Sequence, residues 1–152
     1  MITVEEIGIE RADQIIELVT KLLDEIREEA DKAVELDREK IVQDWTGNQD
    51  TFTAFVALDE SEKLLGVVTL VDSFAVYAGG RYGVINELYV LPEYRNQQVG
   101  RMLVETAKDY GRYQGWKRID VTAPLGEKWE RTIKFYEREG FVHTGPKLKF
   151  RY

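Results

Sequence analysis

The residues of this chain with the clearest chemical use lie between Val84 and Ala107. Val84 to Leu91 is filled with β-branched, aromatic and aliphatic residues and reads as a strand, which Pro92 stops because proline cannot donate to a ladder. Val99, Met102, Leu103 and Thr106-Ala107 then recur at helical spacing. The short loop between the two patterns delivers the chain to a helix start. There the first N–H groups have no internal partner and the helix dipole favours negative charge. A strand, a tight turn and a helix N-terminus together make an anion cradle of the kind that holds phosphate. Over Asn96, Gln97, Gln98, Val99, Gly100 and Arg101 the backbone N–H groups can surround a phosphate group. Gly100 permits close approach because it has no side chain, and Arg95 and Arg101 offer charge to the oxygens.

Other chemistries have little to work with. The 152 residues include no cysteine, which excludes disulfides, a thiol nucleophile and thiolate metal sites. His143 is the single histidine, so no histidine metal cluster can form, no metal site is expected, and His143 itself reads as structural or exposed. The two serines, Ser61 and Ser73, sit in no nucleophile-elbow pattern, and no phosphate-loop Gly-Lys-Ser/Thr motif occurs. A formal charge of −7 argues against nucleic acid as a partner, since binding to phosphate backbones depends on basic surface. The same charge suits a cationic substrate, although it also simply keeps a protein in solution. The apolar run around Leu64 to Val71 is far shorter than the roughly 20 residues a membrane span needs. Residues 1–10 carry no basic n-region, so neither a signal peptide nor a membrane partner is expected. The absence of cysteine is compatible with a cytoplasmic location.

Around the cradle the pattern predicts alternating strands and helices within a single domain, residues 1–152. Ile2 to Ile9 reads as a strand. Arg11 to Ala30 reads as a helix, with Ile15, Ile16, Val19, Leu22, Leu23 and Ile26 on one face and Glu17, Lys21, Asp24, Glu25 and Glu28 toward water. Asp37 to Trp45 is a second helix, with Asp37 as its N-cap and Gly47 past its end. Thr51 to Leu58 and Leu64 to Tyr77 are strands joined by a polar turn, and Lys117 to Thr122 is a further strand. Glu127 to Glu139 is the last helix, and Phe141 to Tyr152 is expected to form one or two terminal strands. The sum is an α/β domain with a mixed sheet.

Leu88-Tyr89-Val90, Pro92, Tyr94-Arg95 and then Gln98-Val99-Gly100 resemble the coenzyme A signature of the GNAT acetyltransferase family, Arg/Gln-x-x-Gly-x-Gly/Ala after a Leu-x-Val strand. Gln98 stands where that family usually has its first glycine. The segment Phe135-Tyr136-Glu137-Arg138-Glu139-Gly140-Phe141 resembles the family's Phe-Tyr-Glu-x-x-Gly-Phe. The resemblance covers nearly the whole chain. It implies a three-layer fold with a mixed, splayed central sheet of six or seven strands flanked by helices. It also implies transfer of an acetyl group from acetyl-coenzyme A to a primary amine of a small molecule or peptide by direct attack, and dimers are common in the family.

Roles follow from the resemblance residue by residue. Leu88, Tyr89 and Val90 match a strand that carries a bulge and whose main chain pairs with the pantetheine arm. Tyr136 matches the motif tyrosine that protonates the leaving thiolate, a task a nearby phenol can perform. Trp129 replaces a usual asparagine that contacts coenzyme A, and Thr132 replaces a usual alanine. Gln98 is expected to be helical already and so to cost little. For the general base two carboxylates compete. Strand alternation puts Ile85, Glu87 and Tyr89 on one face and Asn86, Leu88 and Val90 on the other, which points Glu87 to the side opposite the Leu-x-Val pair. Asp120 lies where some family members carry an acidic base, and water without a dedicated base remains open. In the family the two-helix segment before the second strand covers the acceptor, and Trp45 is its aromatic of interest, either core or ligand contact. The departures at Gln98 and Trp129 motivate a second reading, a non-catalytic acyl-coenzyme A-binding sensor on the same fold.

Overall fold

The computed structural model describes residues 1–27, 35–124 and 126–152. The expected helix end at 28–30, including Glu28, lies outside the described residues. The chain divides into two compact units, Met1–Asp120 and Val121–Tyr152.

The first unit begins with β1 (Thr3–Ile7), one 3-10 turn (Ile9–Arg11) and α1 (Ala12–Ile26). Helix α2 (Arg38–Thr46) follows, with the Asp37 carboxylate accepting the Lys40 N–H at 3.1 Å, so the expected N-cap is in place. Then come β2 (Phe52–Leu58), β3 (Leu64–Ala75) and β4 (Gly80–Val90). After a 3-10 turn at Pro92–Tyr94 the chain enters α3 (Val99–Gln114), and β5 (Ile119–Val121) leads into the second unit. Strands β1 to β4 pair antiparallel in sequence order. Strand β5 joins beside β4 after the crossover through α3, which makes the sheet mixed. Among the described residues the sheet has five strands rather than six or seven.

Two layers of helix cover this sheet. On one face Ala54, Val56, Val67 and Tyr89 pack with Ala12, Ile15 and Leu18 of α1 and Trp45 of α2. Trp45 is core: it is buried and meets Phe52 edge-on at 4.8 Å. On the other face lie Val99, Leu103, Val104 and Ala107 of α3, all at most 1% exposed. There Phe55 meets Tyr110 at 5.5 Å, and a Cβ on Gly66 would stand 3.2 Å from Leu103 Cδ1. Trp116 closes this layer. Its ring lies so close to Gly83 that a Cβ there would come within 2.1 Å, and its Nε1 donates to Asp72 at 3.1 Å. Only glycine lets the ring lie flat on β4.

In the second unit a 3-10 turn (Glu127–Trp129) opens α4 (Glu130–Arg138), and Gly140 ends it with φ 96°. The terminal strands expected over Phe141 to Tyr152 are not formed; the segment has no regular structure. Its side chains at Leu148, Phe150 and Tyr152 are exposed, so the strand-like alternation of Lys147 to Tyr152 has no partner ladder to hold it.

Candidate active site

The site is organised by an irregularity in β4. Thr69 of β3 pairs with Glu87, but its neighbour Leu70 pairs with Ile85, so Asn86 is an extra residue opposite the partner strand. Cross-strand partners point the same way and successive residues of β3 point opposite ways. Ile85 therefore faces α3 with Leu70, while Glu87 faces α1 with Thr69. The regular alternation expected for this strand is corrected: Ile85 does not share a face with Glu87 and Tyr89. Glu87 still lies opposite Leu88 and Val90, and the bulge implied by the resemblance is present, two residues ahead of Leu88.

Glu87 is half-buried. Its backbone N–H donates to Thr69 Oγ1 at 3.1 Å, and that hydroxyl donates in turn to Glu87 Oε1. Burial pushes the Glu87 carboxyl above the ordinary carboxylate range, and the Thr69 hydrogen bond opposes the rise. Asp120 is placed differently. Both its oxygens accept from Arg118, at 2.8 and 2.9 Å, and the same guanidinium lies over Tyr77 at 5.0 Å. Both oxygens of Asp120 are thus engaged, and to take a proton on either one it must give up a bond to Arg118.

The cradle has the geometry of a helix start. The first backbone bond of α3 runs from Met102 N–H to Gln98 carbonyl, so the N–H groups of Val99, Gly100 and Arg101 have no partner inside the helix. Gln98 is not helical, contrary to the sequence expectation. It sits at φ 68°, ψ 7°, and Asn96 is left-handed as well, at φ 69°. A side chain is tolerated there at a cost, which explains why glycine suits the position. Gln98→Gly should raise stability by about 1 kcal/mol, read as a higher Tm in a thermal melt. A lower Tm would show that the Gln98 side chain offsets its own backbone strain.

Arg95 does not turn toward the cradle. Its Nη2 donates to both oxygens of Glu25, at 2.9 and 3.0 Å, its Nε donates to the Val90 carbonyl at 2.9 Å, and it lies over the Tyr89 ring at 5.4 Å. The Tyr89 hydroxyl donates to Glu25 at 3.3 Å. Glu25 is thus not the solvent-facing residue that helical periodicity predicts; it ties α1 to the end of β4. Gln97 donates to the Glu93 carbonyl at 3.1 Å, and Arg101 is exposed on the first turn of α3.

In the second unit Tyr136 is buried between Phe135 and Phe141, with ring centroids at 5.3 and 5.4 Å. Burial pushes its phenol well above the ordinary value, so it stays protonated. Among the described residues its hydroxyl takes no hydrogen bond, and the oxygen keeps some accessible surface. Trp129 lies under Lys128 at 5.0 Å, and exposed His143 faces Glu137 at 3.9 Å. Among the described residues no group of acids and histidines is arranged to hold a metal, and no helix is long and apolar enough to cross a membrane.

A bulged strand thus turns a carboxylate to one side and leads on to an open helix N-terminus. The chain matches the acetyltransferase (GNAT) family over residues 16–141 and belongs to that family. It is 27% identical over 89 residues to the uncharacterized N-acetyltransferase YhfO of Bacillus subtilis, covering 56% of this chain and 60% of that protein. It is 30% identical over 81 residues to the IAA acetyltransferase of Azospirillum brasilense, covering 53% and 52%. The matches thus span between half and two thirds of these relatives' length. In fold the chain is similar to an aminoglycoside acetyltransferase, HMB0005, from an uncultured soil metagenomic sample, with TM-score 0.80, 16% identity, and 100% and 99% of the two chains covered. It is also similar to a ribosomal-protein-alanine N-acetyltransferase of Brucella melitensis biovar Abortus, with TM-score 0.78, 16% identity and all of both chains covered.

Proposed function

We propose that this protein transfers an acetyl group from acetyl-coenzyme A to a primary amine of a small molecule or peptide by direct attack. The observation that carries this reading is Glu87, half-buried and turned by the bulge away from the α3 layer, where it can take a proton from an incoming ammonium. When bound, acetyl-coenzyme A supplies an activated acyl thioester. The N–H groups of Val99, Gly100 and Arg101 would hold its pyrophosphate, and the fit is supported by their lack of helical partners. The main chain of Leu88, Tyr89 and Val90 would hold the pantetheine arm through groups other than the Val90 carbonyl, which accepts from Arg95 Nε. Tyr136, kept protonated by burial, would give its proton to the departing sulfur. Asp120 is the weaker candidate base because Arg118 already claims both its oxygens.

The single-domain reading of residues 1–152 is supported by a family match that covers residues 16–141 and so takes in part of each compact unit. A cationic acceptor suits the net charge of −7, and aminoglycoside and ribosomal-protein acetyltransferases share the fold. We place the enzyme in the cytoplasm, as a possible homodimer. A second reading, an acyl-coenzyme A sensor without turnover, is favoured by the left-handed Gln98 at the cradle and by Trp129.

A thermal melt with acetyl-coenzyme A, coenzyme A and a nucleotide control tests the cofactor assignment. Ligand at 100 times its dissociation constant adds about 2.7 kcal/mol, which should raise Tm by roughly 5–10 °C in a chain of this size. Turnover on a panel of aminoglycosides, polyamines and peptide N-termini then separates enzyme from sensor. No shift at millimolar ligand overturns both readings.

A further inference from the structure

Thr69 is the one polar residue among the described residues that is fully buried in the core, at 0% exposure. It interrupts an apolar run, with Val67 and Val68 before it and Leu70 and Val71 after. A buried hydroxyl is costly unless it is hydrogen-bonded, and valine is the apolar residue of nearly the same shape. Both of its hydrogen bonds go to Glu87. The Glu87 backbone N–H can only donate, so it takes a lone pair of Thr69 Oγ1. The hydroxyl hydrogen is then left for Glu87 Oε1. The N–H is aimed at a side chain rather than at the ladder because Asn86 has interrupted the pairing.

We propose that Thr69 is a positioning residue for Glu87: its hydroxyl, oriented by the bulged backbone, fixes where the carboxylate oxygen points. The inference rests on the assignment of Glu87 as general base. A donor on the carboxylate also favours its ionised form, the form a base needs, against the burial that disfavours it. The other ionisable groups on this face, among the described residues, are Tyr82 and Tyr89 on β4, the Arg118–Asp120 pair beside Tyr82 and, beyond Tyr89, Glu25 of α1 with its Arg95 partner. Substitution at Thr69 leaves all of these in place. On this account Ser retains the device and Val removes it.

The test needs no turnover. The Glu87 carboxyl carbon is followed by NMR through a pH titration of the full chain, with Glu87→Gln assigning the resonance. Thr69→Val should raise the midpoint by about one pH unit, the scale of one hydrogen bond to a charged group. Thr69→Ser should restore the wild-type midpoint. A Thr69 that merely patched the bulge would change the melting temperature and leave the midpoint alone. Equal midpoints in wild type and Thr69→Val therefore overturn the proposal. If Thr69→Val fails to fold, a wild-type midpoint in Thr69→Ala does the same. The base assignment fails separately, if the acid limb of the acetylation pH profile survives in Glu87→Gln.

Discussion

Glu87→Gln should lower kcat for amine acetylation by about 10²–10⁴-fold, the usual range for losing a positioned general base, with acetyl-coenzyme A affinity unchanged. The amide keeps the shape and can still accept from Thr69, but it cannot take a proton. The wild-type rate should fall as pH drops through the Glu87 pKa. Burial raises that pKa, so the limb lies above the ordinary glutamate value of about 4.3. Steady-state rates against pH for both proteins, with isothermal titration of acetyl-coenzyme A, check the two halves.

The same substitution should act on stability with the opposite sign. A carboxyl whose folded pKa is raised binds its proton more tightly in the folded state than in the unfolded chain. Its contribution to stability is complete below the unfolded value and is lost as pH rises through the folded value. At neutral pH the fold therefore carries a half-buried charge at a cost. Glu87→Gln should raise Tm near pH 7, and the gain should shrink toward pH 4. Activity and stability thus oppose each other at this one position, which is the mark of a group retained for chemistry.

What the sequence shows of this molecule follows from how local each signal is. Asp37 is legible as an N-cap because capping depends on residues within one turn, and Lys40 N–H is where the pattern puts it. The bulge at Asn86 is not legible, because register is a property of two strands and β4 alone reads as regular alternation. Gln98 reads as a helical residue because its left-handed backbone is set by the loop it closes rather than by its own preference. Glu25 falls on the polar face of α1 by periodicity, yet Arg95, 70 residues further on, reaches it. Thr69 passes for a strand filler. The available signal was a lone hydroxyl within a run that is otherwise apolar on both faces. Tyr136, the proposed acid, stands out in the sequence through its motif, whereas weighing Glu87 against Asp120 as the proposed base uses the Arg118 ion pair on the latter, which joins two side chains of one strand and is not readable from residue types alone.

Tyr136→Phe should lower kcat by about 10²-fold or more and leave acetyl-coenzyme A binding intact. Burial holds the phenol's pKa up, so Tyr136 enters the step with its proton in place, while the same rise makes it a weaker acid that can serve only a thiolate held against it. Its ring is fixed between Phe135 and Phe141, packing that phenylalanine reproduces. Because the hydroxyl takes no hydrogen bond among the described residues, removing it leaves no buried partner unsatisfied, and Tm should change little. A drop in kcat without a change in Tm separates proton donation from a packing role. The leaving group provides a sharper check. An acyl donor whose thiol is more acidic needs less help to depart, so the Tyr136→Phe defect should shrink as the thiol pKa falls. A defect of constant size across such donors would place Tyr136 outside the step that releases sulfur and leave its aromatic packing as its role.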